Sequence, residues 1–136
     1  LSAEDARRLL AVAEQDSAIM FGVVVFGLCR GLRRGESLGL RWKDIDTDAE
    51  LIRIRNRLRE ERIRGTDGTY VTVLKPGPPK TKTSVRDIAV DKTVNRALSR
   101  LHTEQARNRL KAGGDWNNSG YVFTNACGDP LWPSSV

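Results

Sequence analysis

Cysteine is scarce in this sequence, and the two present, Cys29 and Cys127, lie too far apart to make a metal-ligand pair or a disulfide framework. Such usage fits a reducing compartment, so a cytoplasmic location is expected. Histidine is scarcer still. His102 stands without a cysteine or second histidine beside it, which speaks against a metal centre. The apolar run from Ala18 to Cys29 is about 12 residues, too short to span a bilayer, and reads as a buried helix. Leu1-Ser2-Ala3-Glu4-Asp5 has no basic segment leading into an apolar one, so neither a secretion signal nor a membrane partner is expected. P-loop and Rossmann fingerprints are missing. Asp44-Ile45-Asp46-Thr47-Asp48 imitates a calcium loop, but Ala49 replaces its glycine and Arg55 stands where the bidentate glutamate belongs.

What is abundant is positive charge. Against 17 Asp+Glu stand 23 Lys+Arg, a net charge of +6, and 17 of the 23 are arginine, whose planar fork suits phosphate oxygens. A polyanion such as nucleic acid is a plausible partner. The chain of 136 residues is one domain or a piece of one, and its 39% hydrophobic and 29% charged content reads as globular.

Ser2 and Asp5 make a capping-box-like start to a helix that carries Leu9, Leu10, Val12 and Ala13 to about Gln15. A second helix, from about Ser17 to Cys29, is apolar nearly all round and is expected in the core, with Gly31 ending it. Leu32 to Leu40 reads as a short third helix presenting Arg33, Arg34 and Glu36. The period then changes. Ile52, Ile54 and Leu58 alternate with Arg53, Arg55, Arg57 and Arg59, which predicts one strand with an apolar and a basic face. Glu60 to Thr69 reads as a loop, Tyr70 to Leu74 and Arg86 to Val90 as further strands, and Lys75 to Ser84 as a proline- and lysine-rich turn between them. A polar helix from about Lys92 to Lys111 ends at Gly113-Gly114-Asp115. Tyr121-Val122-Phe123 reads as a short strand, Gly128-Asp129-Pro130 as a turn, and Pro133 onward as the start of another helix.

Three features carry candidate chemistry. Arg33, just after the Gly31 break, is placed to hold a phosphate by charge-assisted hydrogen bonds, with Glu36 three residues on to orient it. Spacing alone favours a plainer alternative, an ordinary surface Arg–Glu pair. The Lys80-Thr81-Lys82 turn can reach a DNA groove and donate a proton, although a solvated basic turn is commoner. Six arginines between Arg53 and Arg64 can track a phosphate backbone or simply face solvent.

Taken together, these pieces resemble the tyrosine recombinases of the phage-integrase type. Gly31-Leu32-Arg33-Arg34-Gly35-Glu36, with Leu38-Gly39-Leu40-Arg41-Trp42 and Asp44-Ile45-Asp46, is similar to that family's first-arginine box. Pro79-Lys80-Thr81-Lys82-Thr83-Ser84-Val85-Arg86-Asp87-Ile88 is similar to its lysine-bearing hairpin, with Ala89 where proline often stands. Tyr121-Val122-Phe123 and Gly128-Asp129-Pro130-Leu131 are similar to the strand and turn before its next catalytic box.

The resemblance implies an α+β fold, mainly helical with a small three-stranded antiparallel sheet. It implies site-specific DNA strand cleavage and rejoining through a 3′-phosphotyrosyl intermediate, with no metal and no ATP. Arg33 would bind a non-bridging oxygen of the scissile phosphate, Glu36 would support the site, and Lys80 would protonate the 5′-oxygen, with Lys82 as its rival. Lys82, Arg34 and Arg86 would contact DNA, and the parent would assemble as a tetramer on a duplex site. Residues 1–136 would be the N-terminal part of the catalytic domain, without the His-x-x-Arg box or the nucleophilic tyrosine, since Tyr70 and Tyr121 fall in predicted strands. A non-catalytic DNA-binding module or relic, and an RNA-binding module using the arginine-rich strand, are the alternatives.

Overall fold

A computed structural model describes residues 2–79, 81 and 85–136. Helix α1 (Ala3–Gln15) starts where the Ser2 hydroxyl accepts from the Asp5 amide at 3.0 Å. Ser17 does the same for α2 (Ala18–Arg30), which Gly31 ends in the left-handed conformation at φ 67°. Phe21, Gly22, Val25 and Phe26 of α2 are buried, but Met20 and Leu28 are exposed. The expectation of a helix buried all round therefore holds for one face only, because α1 and α4 (Lys92–Ala112) do not enclose the other. The ring of Phe26 meets that of Phe123 edge-on at 6.1 Å between centroids, closing the core between α2, α4 and the segment Tyr121–Phe123.

The strands differ from the sequence reading in an instructive way. The predicted single strand is two: β2 (Leu51–Ile54) and β3 (Arg57–Arg64), separated at Arg55-Asn56. β1 (Ile45–Asp46), β2 and β5 (Arg86–Ala89) form a three-stranded antiparallel sheet in the order β1-β2-β5. β3 pairs instead with β4 (Tyr70–Gly77) in a separate hairpin, with Arg57 opposite Gly77 and Arg64 opposite Tyr70. So the expected loop from Glu60 is strand as far as Arg64, and the true hairpin tip is 65–69. The Lys75–Ser84 turn is likewise no hairpin turn, since β4 and β5 lie in different sheets; 78–85 connects one to the other. The mixed helical and antiparallel architecture stands as expected, with a three-stranded sheet of different membership. Tyr121-Val122-Phe123 makes only an isolated bridge, Arg41 opposite Tyr121, rather than a strand.

Helix α4 is fixed at its start by Asp91, whose carboxylate accepts from the Val94 amide at 2.9 Å and also pairs with Arg30 of α2. The Val94 hydrogen bond, with help from Arg30, lowers the Asp91 pKa despite opposition from partial burial. A carboxyl with a lowered folded pKa stabilises the protein above its unfolded value and loses that contribution as pH falls through the folded one. Asp91→Ala is expected to cost about 1 kcal/mol near neutral pH, the usual worth of an N-cap. In urea titrations the gap between variant and wild type should close below the ordinary carboxyl value of 3.8. A gap independent of pH would count against the charged cap.

Candidate active site

The site is built around α3 (Arg34–Leu38), which starts one residue later than Arg33. Arg33 is not on the helix face expected of it. It occupies the N-cap in extended conformation, φ −71° and ψ 153°, and its backbone N–H donates to Glu36 Oε1 at 3.0 Å. Glu36 thus holds the Arg33 main chain, while the Arg33 side chain is exposed and its guanidinium makes no hydrogen bond among the described residues.

Glu36 itself is only 3% exposed. An isolated buried carboxylate would be costly, and Arg86 of β5 meets it from above with Nη1 at 3.1 Å and Nη2 at 3.4 Å. Burial alone raises the Glu36 pKa. Hydrogen bonds from Arg86 and from the Arg33 amide, with the charges of both arginines, outweigh burial and bring it below its ordinary value. Arg86, expected at the DNA, is therefore engaged with Glu36 and half-buried.

Two glycines explain how α3 comes so close to β3. A Cβ on Gly35 would lie 2.7 Å from the Leu58 carbonyl, and one on Gly39 would lie 2.8 Å from the Arg57 Cα. Only bare backbone fits at either point. The contact brings Arg33, Arg34 and Glu36 together with Arg57, Arg59 and Glu60 around a cleft of about 350 Å³, closed at one end by Pro133 and Ser134. Four arginines against two carboxylates make it a cleft suited to an anion. The Glu60 carboxylate accepts from the Ser134 amide at 2.8 Å, and hydrogen bonds from Ser134 lower its pKa. Arg34 leans towards the same end, with Nη1 3.4 Å from the Val136 carbonyl.

Lys80 and Lys82 lie outside the described residues, but both flanks of their segment bond to residues that line this cleft. Upstream, the Pro78 carbonyl accepts from Arg57 Nε at 3.2 Å; downstream, Arg86 grips Glu36. Neither tyrosine lines the cleft. Tyr70, at the end of β4 beside the hairpin tip, lies under the Arg62 guanidinium at 4.1 Å, and the Tyr121 hydroxyl accepts from Arg41 at 3.2 Å.

In the sequence Arg57 and Arg59 belong only to a run that can track a phosphate backbone or face solvent, and Glu60 carries no site signal. The pair Gly35 and Gly39, four apart on one helix face, was the available signal of a close backbone approach. The arginine run divides accordingly. Arg53 and Arg55 pair with Asp46 and Asp87, whereas Arg57 and Arg59 line the cleft, Arg59 also pairing with Glu61 at 3.6 Å.

No protein-family model matches the chain. Over 111 residues, 78% of its length, it is 33% identical to a tyrosine recombinase XerC-like protein of Caldanaerobacter subterraneus subsp. tengcongensis, covering 28% of that protein. It is also 27% identical over 120 residues to the ICEBs1 integrase of Bacillus subtilis, covering 30% of it. The chain thus spans less than a third of either curated relative. Its fold resembles the Tn1549 transposon integrase solved in complex with transposon right end DNA (TM-score 0.61, 24% identity, 97% of this chain and 39% of that one). XerA recombinase is similar too, with TM-score 0.61 at 21% identity over 99% of this chain and 37% of that one. In sequence over most of its length, and in fold, the chain is thus similar to tyrosine recombinases.

Proposed function

We propose that this chain supplies the first half of a DNA strand-exchange site, in which the cleft at the start of α3 holds the scissile phosphate of a duplex. The observation that carries the reading is the convergence of Arg33, Arg34, Arg57 and Arg59 on one cleft, whose lining residues Arg57 and Glu36 bond to the two flanks of the lysine segment. Arg33 donates to a non-bridging oxygen, its fork matching the phosphate. Glu36 holds the Arg33 backbone, and Arg34 and Lys82 contact the DNA backbone. A tyrosine outside these residues attacks phosphorus to give a 3′-phosphotyrosyl bond, and the departing 5′-oxygen takes a proton from Lys80, or from Lys82 if the register differs. The whole recombinase assembles as a tetramer on its site.

Binding comes first. The 136-residue chain should bind duplex DNA with little sequence preference, and affinity should fall by about tenfold to a hundredfold between 50 and 200 mM salt, as three or so neutralised phosphates require. Fluorescence anisotropy reads this directly. Salt-independent affinity, or none at low salt, would sink the reading.

Cleavage is the second part. The one histidine is followed by Thr103-Glu104-Gln105, which places glutamine where a His-x-x-Arg box has arginine, and both tyrosines are placed away from the cleft. The chain alone is therefore inactive, while a protein extended through that box and a nucleophilic tyrosine cleaves. A nicked suicide duplex that traps covalent adducts tests both. An adduct with the 136-residue chain would contradict the proposal.

A further inference from the structure

The Arg86–Glu36 pair has a geometry that a DNA contact would not need. Arg86 opens β5, directly after the lysine segment, and its guanidinium turns inward onto a carboxylate only 3% exposed. The same carboxylate accepts from the Arg33 amide. One buried group thus joins the base of the lysine segment to the main chain of the phosphate-facing arginine. We propose that Arg86 is a positioning residue: acting through Glu36, it fixes Arg33 at the cleft and does not itself contact phosphate. This inference rests on the proposed role of Arg33 and adds to it the element that sets its position.

Loss of either partner undoes the link. Arg33 stands before the first turn of a five-residue helix, too short to define its own N-terminus. Among the described residues its amide donates to Glu36 Oε1 alone. Without Arg86, a buried Glu36 loses its guanidinium partner and is driven to take up water or a proton, either of which loosens its hold on that amide. The effect on DNA then passes through Arg33. A direct phosphate contact would instead add its contribution whether or not Arg33 is present.

A double-mutant cycle on the 136-residue chain separates these cases. Duplex affinity is measured at low salt for wild type, Arg33→Ala, Arg86→Met and the double variant. Arg86→Met is expected to weaken binding by about tenfold when Arg33 is present, the worth of one charge-assisted contact, and to change it less than about twofold in the Arg33→Ala background. Equal losses in both backgrounds would make Arg86 an independent phosphate ligand and overturn the proposal. So would an unchanged affinity in both, which would leave the pair a purely structural one. A second measurement needs no DNA. Amide exchange at Arg33 should quicken in Arg86→Met and less so in Arg86→Lys, which keeps the charge without the fork; unaltered protection in either folded variant would refute the coupling. A wild-type chain that binds no duplex at all would instead remove the reading of Arg33 on which the cycle is built, while faster exchange would still register the Glu36 link.

Discussion

Replacing Arg33 by alanine is expected to lower covalent trapping on a suicide duplex by about 10²–10³-fold, in a recombinase that continues this chain through its nucleophile. The magnitude follows from where the side chain stands. Arg33 is exposed among the residues that line the cleft, and a buried carboxylate holds its main chain, so its side chain springs from a fixed point before DNA arrives. Preorganised donors act on the charge that develops as the phosphorus centre is attacked, and they require no reorganisation at that moment. Arg33→Lys should recover only part of the rate, because an ammonium keeps the charge but not the bidentate fork. Rates are compared at saturating DNA, so that weaker binding does not masquerade as slower chemistry. If Arg33→Ala traps as fast as wild type, this arginine is not at the phosphate.

Phe123→Ala is the most damaging core change expected, at about 3–5 kcal/mol. The ring is fully buried, meets Phe26 edge-on, and is so close to α2 that a Cβ on Gly22 would lie 2.8 Å from it. A domain of this size is typically stable by only about 5–15 kcal/mol, so the variant should unfold at much lower urea. Gly22→Ala should be destabilising alone, because the ring has no room to give. Paired with Phe123→Leu it should cost less than the sum of the two changes, since the smaller side chain opens the space the methyl needs. Strict additivity in chemical denaturation would mean that Gly22 and Phe123 do not share that contact.

The helices were legible because their ends are marked by residues that act locally, serines through their hydroxyls and glycines through a positive φ. Ser2, Ser17, Gly31 and Gly113 do in the structure what their residue types suggest. The strands were less so. Arg55-Asn56 contains neither glycine nor proline, and Asn56, polar where the Ile52, Ile54, Leu58 pattern calls for an apolar residue, is a weak local mark of the passage from one sheet to another. Pairing with Gly77, Pro76 and Lys75 decides it, and that partner lies about twenty residues on. The site shows the same division. Arg33 and Glu36 were singled out by resemblance to a family box, spacing alone favouring a surface pair, whereas Arg57, Arg59 and Glu60 lie beside them only through the approach of α3 to β3. The inward turn of Arg86 is equally tertiary, since it answers a buried charge fifty positions away.

The passage between sheets at Arg55-Asn56 makes the reading frame of β3 unforgiving at one end and lenient at the other. A single residue inserted at Asn56 would rotate β3 by one pleat, turning Leu58 outward and moving Arg57 and Arg59 from their places beside α3. The same insertion among 65–69 would only lengthen the far tip, where Thr66, Gly68 and Thr69 are exposed and no cleft residue lies. Relatives of this chain can therefore be expected to differ in hairpin length at the tip while keeping the short passage from β2 to β3 invariant in length.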